Sequence, residues 1–229
     1  MTDDDIRRRF AAILPESLPK SRVAQLVSLG RLLEIKSGAT ASLGETSERF
    51  IVFVAEGTAK FIGHIGNDRE QIVSFVMPDD LVMFSRTATL PYTLCGITHA
   101  RLLVFPAGIF IRAVAADGDL ANRVFEHLFL GFDRSRDMAV LLGRKTARER
   151  VATFLSSMSE RIGTRTSGAI SIDLPVSRRE IADSLGLTIE TVSRQFTELR
   201  ELGVIDTSGR SEVSIRDLQY IRKLAASVD

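Results

Sequence analysis

Cysteine is almost absent from this sequence, net charge is close to zero, and long apolar runs are missing. Cys95 is the only cysteine in 229 residues. One thiol supports neither a disulfide framework nor an intrachain cysteine cluster for iron–sulfur or structural zinc. The longest uninterrupted apolar run lies near Leu102–Ile111 and contains Pro106 and Gly108. It falls short of the roughly 18–20 residues that span a bilayer, so no membrane partner is expected. The opening residues are acidic and lack the basic-then-apolar order of a signal peptide. A cytoplasmic, reducing location is expected. The formal charge of +1 gives no sign of a polyanionic partner, and from Arg144 onward fourteen Lys and Arg face twelve Asp and Glu. Any basic surface must come from arrangement, not from totals.

What is present is ordinary globular composition, 45% hydrophobic and 26% charged, in a chain long enough for one large domain or two modest ones. Residues 5–36 read as short helical pieces broken by Pro15 and Pro19. From Ser37 to about Phe110, β-branched and aromatic runs (Phe50–Val54, Gln71–Val76, Arg101–Phe105) alternate with turn signals at Gly57, Pro78-Asp79-Asp80 and Pro91. Such spacing suggests a sandwich or barrel. Gly66-Asn67-Asp68 marks a hairpin.

A long helix is predicted from Asp117 to about Leu142, with two apolar stripes at helical spacing. One takes Leu120, Val124, His127, Gly131, Met138 and Leu142; the other takes Phe125, Phe129, Phe132 and Val140. A helix apolar on two faces must bury both. One stripe is expected on the strand domain and the other on a second copy, with the Leu120–Leu142 stripe as the dimer seam. A helix buried entirely in one monomer is the alternative, against which Arg134, Arg136 and Asp137 weigh. Ala147–Arg161 then reads as helix, Gly163–Gly168 as a turn-rich break, and Ala169–Leu174 as a short strand.

Ser177-Arg178-Arg179-Glu180 has the form of a capping box, opening a helix that carries Ile181, Ala182 and Leu185 inward and stops at Gly186. Thr188 is placed to cap a second helix running to about Leu202, with Gly203 just beyond it. Two short helices across a tight glycine turn make a helix-turn-helix. Ile189, Glu190, Ser193 and Arg194 fall on the outward face of the second helix, where base-reading groups are needed. Arg donates twice to guanine, Glu accepts from cytosine N4, and Ile meets a thymine methyl. Ser177, Arg178, Thr188 and Thr191 flank this face and suit phosphate contacts. An ordinary packed helix pair with a surface Glu–Arg ion pair is the plainer alternative. Val204–Ile205, Thr207–Arg210 and Val213–Ile215 read as a β-hairpin wing with Arg210 near its tip, followed by a helix from about Arg216. Double-stranded DNA is the partner expected.

The stretch Arg179-Glu-Ile-Ala-Asp-Ser-Leu-Gly-Leu-Thr-Ile-Glu-Thr-Val-Ser-Arg-Gln-Phe resembles the recognition region of the CRP/FNR family of bacterial transcription regulators, in its FNR/FixK branch. Leu142-Gly-Arg-Lys-Thr-Ala-Arg-Glu-Arg-Val-Ala-Thr-Phe-Leu is similar to that family's junction between dimer helix and DNA-binding domain. The resemblance covers nearly the whole chain. It implies an α+β fold: a jelly-roll, cyclic-nucleotide-binding-like β-barrel sensory domain over 1–116, a dimerisation helix over 117–143 and a winged helix-turn-helix over 144–229. It also implies a homodimer, contact with RNA polymerase, and sites of the TTGAT…ATCAA type read by Glu190, Ser193 and Arg194.

The sensory half departs from the family's ligand binders. Cyclic-nucleotide cradles use a Gly-Glu and an Arg-Ser pair, whereas this chain has Met83-Phe84-Ser85-Arg86 and Leu90-Pro91. The cysteine cluster of iron–sulfur oxygen sensors is missing from residues 1–36. Cys95, His64, His99 and His127 are haem ligands by residue type only, Arg86 is a lone charge that suits an anion, and Cys95 remains open as a redox-modified thiol. No cofactor and no metal site are expected. The alternatives are a cyclic-nucleotide- or haem-gated regulator of the same fold, or a cupin-like metalloenzyme. The scattered histidines argue against the latter, and a non-enzyme is expected.

Overall fold

The computed structural model describes residues 2–44, 49–66, 69–86, 91–166 and 168–226. It divides into two compact units, Met1–Ser135 and Arg136–Asp229. The first unit contains α1 (Asp3–Ala12), α2 (Lys20–Ser28), β1 (Arg31–Ile35), β2 (Arg49–Glu56), β3 (Ala59–Ile65), β4 (Arg69–Val76), β5 (Leu81–Ser85), β6 (Tyr92–Gly96), β7 (Ala100–Pro106) and α3 (Ala107–Ala115). It ends within α4 (Gly118–Arg144), whose residues from Arg136 onward belong to the second unit.

Two antiparallel sheets, ordered β1-β7-β2-β5 and β4-β3-β6, form the jelly-roll-type strand domain expected, as a two-sheet sandwich. The period-2 alternation of a strand explains its two cores. Phe50, Val52 and Val54 of β2 and Leu102 and Val104 of β7 join Phe61, Phe84 and Leu94 between the sheets. The intervening residues, Ile51, Phe53, Leu103 and Phe105, face the other way, into a core with Ile6, Phe10, Leu26, Phe110, Leu120 and Val124 from the helices. Strands buried on both faces read as unbroken apolar runs, which is why β2 and β7 were legible. Phe10 anchors α1 here, its ring 5.3 Å from Phe53 and 5.0 Å from Phe105. Arg9 holds both oxygens of Asp79 in the β4–β5 turn, and Arg134 of α4 reaches Asp80 at 2.9 Å.

Several elements differ from the sequence reading. Residues 31–35 are strand, not helix, because they add an antiparallel edge to β7, Arg31 opposite Val104. The strand pattern stops at Pro106, and α3 follows. The segment 163–168 is no mere break: Thr164–Thr166 is a strand that pairs with Ala169–Asp173. The hairpin at Gly66 joins β3 to β4 with Ile65 opposite Arg69; Asn67 and Asp68, like Leu90, lie outside the described residues.

The expected seam of α4 is taken up in part by the first unit's own core. Leu120 and Val124, expected at a dimer seam, are 0% and 3% exposed inside the first unit's own core. They cannot also meet a second copy. His127, Gly131, Met138 and Leu142 are half-buried. The exposed row is Phe125, Phe129, Phe132 and Val140, with Leu130 beside it; Phe129 is 61% exposed. No helix among the described residues is long and apolar enough to cross a membrane.

Replacing Phe10 with Ala should destabilise the first unit by roughly 3–5 kcal/mol, through lost burial and the cavity left behind. Urea unfolding monitored by circular dichroism checks this; an unmoved midpoint would show that α1 is not part of the core.

Candidate nucleic-acid interface

The second unit continues with α5 (Ala147–Ile162), β8 (Thr164–Thr166), β9 (Ala169–Asp173), α6 (Arg178–Leu185), α7 (Ile189–Glu201), β10 (Ile205–Ser208), β11 (Glu212–Ile215) and α8 (Leu218–Ala226). Local chemistry sets α6 and α7. The Ser177 hydroxyl accepts from the Glu180 amide at 3.3 Å, while the Glu180 carboxylate accepts from the Ser177 amide at 2.8 Å, closing the capping box. Gly186 ends α6 in the left-handed region, φ 61°, where a side chain is strained. Leu187 then donates back to the Ala182 carbonyl at 3.0 Å. Thr188 caps α7, its hydroxyl accepting from the Thr191 amide at 3.2 Å. One face of each helix is buried: Ile181, Ala182 and Leu185 on α6, Val192, Phe196 and Leu199 on α7.

The opposite face of α7 is open. Glu190, Ser193 and Arg194 are exposed, Ile189 is half-buried at the start of the row, and Thr188 and Thr191 flank it, exposed and half-buried. Hydrogen bonds from its own amide and from Thr188 hold the Glu190 carboxyl below the usual carboxylate range. It therefore stays an ionised acceptor, the form that takes a hydrogen bond from cytosine N4. Arg194 lies 4.0 Å from Glu198 one turn on. At this exposure such a pair contributes little to stability and leaves the guanidinium able to turn outward.

The wing is the antiparallel pair β10–β11, with Ile205 opposite Ile215. It turns at Gly209, φ 59°, and presents Arg210 exposed. Arg216 braces its base on Asp206 at 2.7 Å. The sheet order β10-β11-β9-β8 makes the wing one edge of a four-stranded sheet.

Two of the expected flanking contacts are differently engaged. Arg178 does not stand out from α6: its guanidinium carbon lies 3.4 Å from the centroid of the Phe196 ring on α7, and burial lowers its pKa to about 10. It is a cation–π brace between the two helices. Its neighbour Arg179, which the sequence reading passed over, is exposed at the same helix end. The Ser177 hydroxyl donates to Glu180 at 2.9 Å. The signal for Arg179 was its place in the first turn; nothing local in the sequence shows that Arg178 finds a ring eighteen residues away.

The sensory candidates do not converge. His64 on β3 contacts Thr93 and Glu70, His99 faces Glu34, and His127 sits on α4 with its Nε2 buried and without a hydrogen-bond partner. Burial, reinforced by the Arg123 charge, holds His127 below the usual histidine range. Cys95 is buried on β6, and Arg86 donates to the Gly44 carbonyl at 2.7 Å. Among the described residues no group of three His, Cys, Asp or Glu is arranged to hold a metal.

Residues 149–224 match the Crp-like helix-turn-helix domain. The chain is 32% identical over 211 residues to the nitrogen fixation regulation protein FixK of Bradyrhizobium diazoefficiens, covering 92% of this chain and 89% of that protein. It is 31% identical over 219 residues to the transcriptional activator protein FnrL of Cereibacter sphaeroides, covering 94% and 87%. The chain belongs to the CRP/FNR family. Within it the similarity is to the FixK-like branch, and the solved structure of FixK2 from Bradyrhizobium japonicum superposes with a TM-score of 0.73 at 27% identity, covering 87% of this chain and 99% of that one. A CooA mutant from Carboxydothermus hydrogenoformans shares the fold, with a TM-score of 0.73 at 18% identity over 93% of this chain and 98% of that one. The protein is a helix-turn-helix transcription regulator, and its relatives are regulators, not enzymes.

A Gly186→Ala substitution should cost about 1–2 kcal/mol, the penalty for a side chain in the left-handed region. The added methyl also meets Leu142 at 3.4 Å and Arg150 at 3.5 Å. Thermal unfolding checks it; wild-type stability in the variant would show that the turn tolerates a different conformation.

Proposed function

We propose that this protein binds DNA as a homodimer, setting one α7 into each half of a palindrome of the TTGAT…ATCAA type. The observation that carries this reading is the exposed row Glu190, Ser193 and Arg194, held outward by the buried opposite face of α7. The G·C pair of TTGAT offers guanine O6 and N7 to Arg194 and, on the other strand, cytosine N4 to Glu190. Ile189 suits a neighbouring thymine methyl. Thr188, Thr191, Arg179 and Arg210 sit around the row and supply backbone contacts that fix register. Ser177 and Arg178 serve the fold of the unit first.

Dimerisation runs through the exposed side of α4. Phe125, Phe129 and Phe132 lie at i, i+4 and i+7, a single row of large apolar side chains. Burying each stabilises by about 1.5–3 kcal/mol, enough together to favour a second copy of the same row. His127 lies on the opposite stripe, with Leu120 and Val124, and is not part of this row. Met138 and Leu142, half-buried further along, continue the original seam only in part.

The sandwich interior supports a regulator without a small-molecule effector. Phe61 and Phe84 stack 5.8 Å apart there, among Leu43, Phe50 and Leu94. Activity is then set by the amount of protein or by its modification. It acts in the cytoplasm and, at a promoter, contacts RNA polymerase.

Arg194→Ala should weaken binding to the palindrome by roughly 1–3 kcal/mol and relax discrimination at the G·C pair. Fluorescence anisotropy on cognate and random duplexes checks this, and equal losses on both would mean that Arg194 contacts only the backbone. Phe129→Glu should shift the protein from dimer to monomer in sedimentation at micromolar concentration; an unchanged dimer would place the interface elsewhere. Titration calorimetry with cAMP and cGMP should give no heat, and saturable binding of either would favour the ligand-gated alternative.

A further inference from the structure

Three helices of the second unit end close to two cations supplied by the short α4–α5 connection and the first turns of α5. Arg150 donates through Nη2 to the Leu142 carbonyl at 2.9 Å, through Nε to the Lys145 carbonyl at 2.9 Å, and through Nη1 to the Leu185 carbonyl at 2.8 Å. Leu142 is in the last turn of α4 and Leu185 is the last residue of α6. Lys145 donates to Thr153 at 2.9 Å and to the Ala225 carbonyl in the last turn of α8.

The chemistry suits the position. The final carbonyls of a helix have no partner inside it, and they carry the negative end of the helix dipole. A guanidinium holds five donors in one plane, and its geometry is rigid. Arg150 therefore does more than add charge. One planar group bonds carbonyls 43 positions apart in sequence, at the end of α4 and at the end of the first helix of the helix-turn-helix. The next residue, Gly186, turns the chain towards α7, and a methyl placed on it would lie 3.5 Å from Arg150 Nη1. A hydrogen bond of 2.8 or 2.9 Å weakens steeply when its angle or length changes, so α6 has little freedom to slide or rotate against the end of α4 while this fork is closed.

We propose that Arg150 is a positioning residue that fixes the recognition helix relative to the end of the α4 dimer helix and so sets the spacing of the two DNA half-sites. The inference rests on the palindrome-binding dimer proposed above. In such a dimer each α4 end carries its own α7, and the separation of the two recognition helices is as well defined as the α4–α6 junction. Loosening that junction leaves each α7 able to read its half-site and removes the penalty for a wrong spacer. Lysine at this position keeps the charge but lacks the planar fork, so it separates geometry from electrostatics.

The test uses the full-length protein and duplexes that carry two half-sites with the central spacer lengthened or shortened one base pair at a time, alongside a duplex with a single half-site. Wild type should show a sharp optimum. Arg150→Lys and Arg150→Gln, checked for folding by circular dichroism, should keep single-half-site affinity while the penalty for a one-base-pair change shrinks by about three- to thirtyfold, the range expected for a broken coupling contact. A folded Arg150→Lys variant with the wild-type spacer profile overturns the inference. Equal loss on single and paired half-sites also overturns it, because that marks a purely structural role. If wild type has no spacer optimum, the palindrome reading fails first and this inference falls with it.

Discussion

The burial of one face of α7 is the constraint on which the DNA-facing half of this molecule depends. Val192, Phe196 and Leu199 are almost wholly removed from solvent, and at 100° per residue this leaves Glu190, Ser193 and Arg194 no direction but outward. The capping of α6 and α7 and the left-handed turn at Gly186 fix where α7 starts. Arg178 laid over Phe196 ties the first turn of α6 to the middle of α7. Exposed polar side chains on a helix are ordinarily mobile and interchangeable. Here burial of the opposite side of the same helix holds them on one outward face, which is what the proposed reading of bases needs.

The first unit solves a different packing problem. Its central strands are apolar on both faces, so the sheet β1-β7-β2-β5 needs a cover on each side. One cover is the second sheet, and the aromatic stack of Phe61 and Phe84 occupies the space between. The other cover is helical, with Phe10, Phe110, Leu120 and Val124 as its principal side chains. Recruiting Leu120 and Val124 to that cover decides the chemistry of α4: the side left exposed is a phenylalanine row, the surface on which the proposed dimer rests.

Much of this was legible in the sequence. The Ser177–Glu180 capping box, the Thr188 cap, the turn glycine and the strands β2, β4 and β7 are local features, encoded within a few residues, and the structure has them at the expected places. The misread elements share a different property. Residues 31–35 are too short for periodicity to separate strand from helix, and their pairing with β7 spans about seventy positions. Arg178 looked like a phosphate contact because an exposed arginine and a ring-stacked arginine are the same letter. Arg179, one residue on, carries the exposure that was assigned to its neighbour.

The helix-turn-helix itself was settled by the sequence. Ser177, Glu180, Gly186 and Thr188 act through bonds to backbone atoms three or four residues away, so their spacing alone specifies two capped helices and the outward row of the second. What tertiary structure alone decided was which stripe of α4 is covered and what holds α6 to the end of α4. Two apolar stripes of equal period look equivalent until a sheet chooses one of them. The fork of Arg150 joins carbonyls of Leu142 and Leu185 that carry no side-chain signature, since every residue has the same carbonyl and only the fold brings those two to one guanidinium.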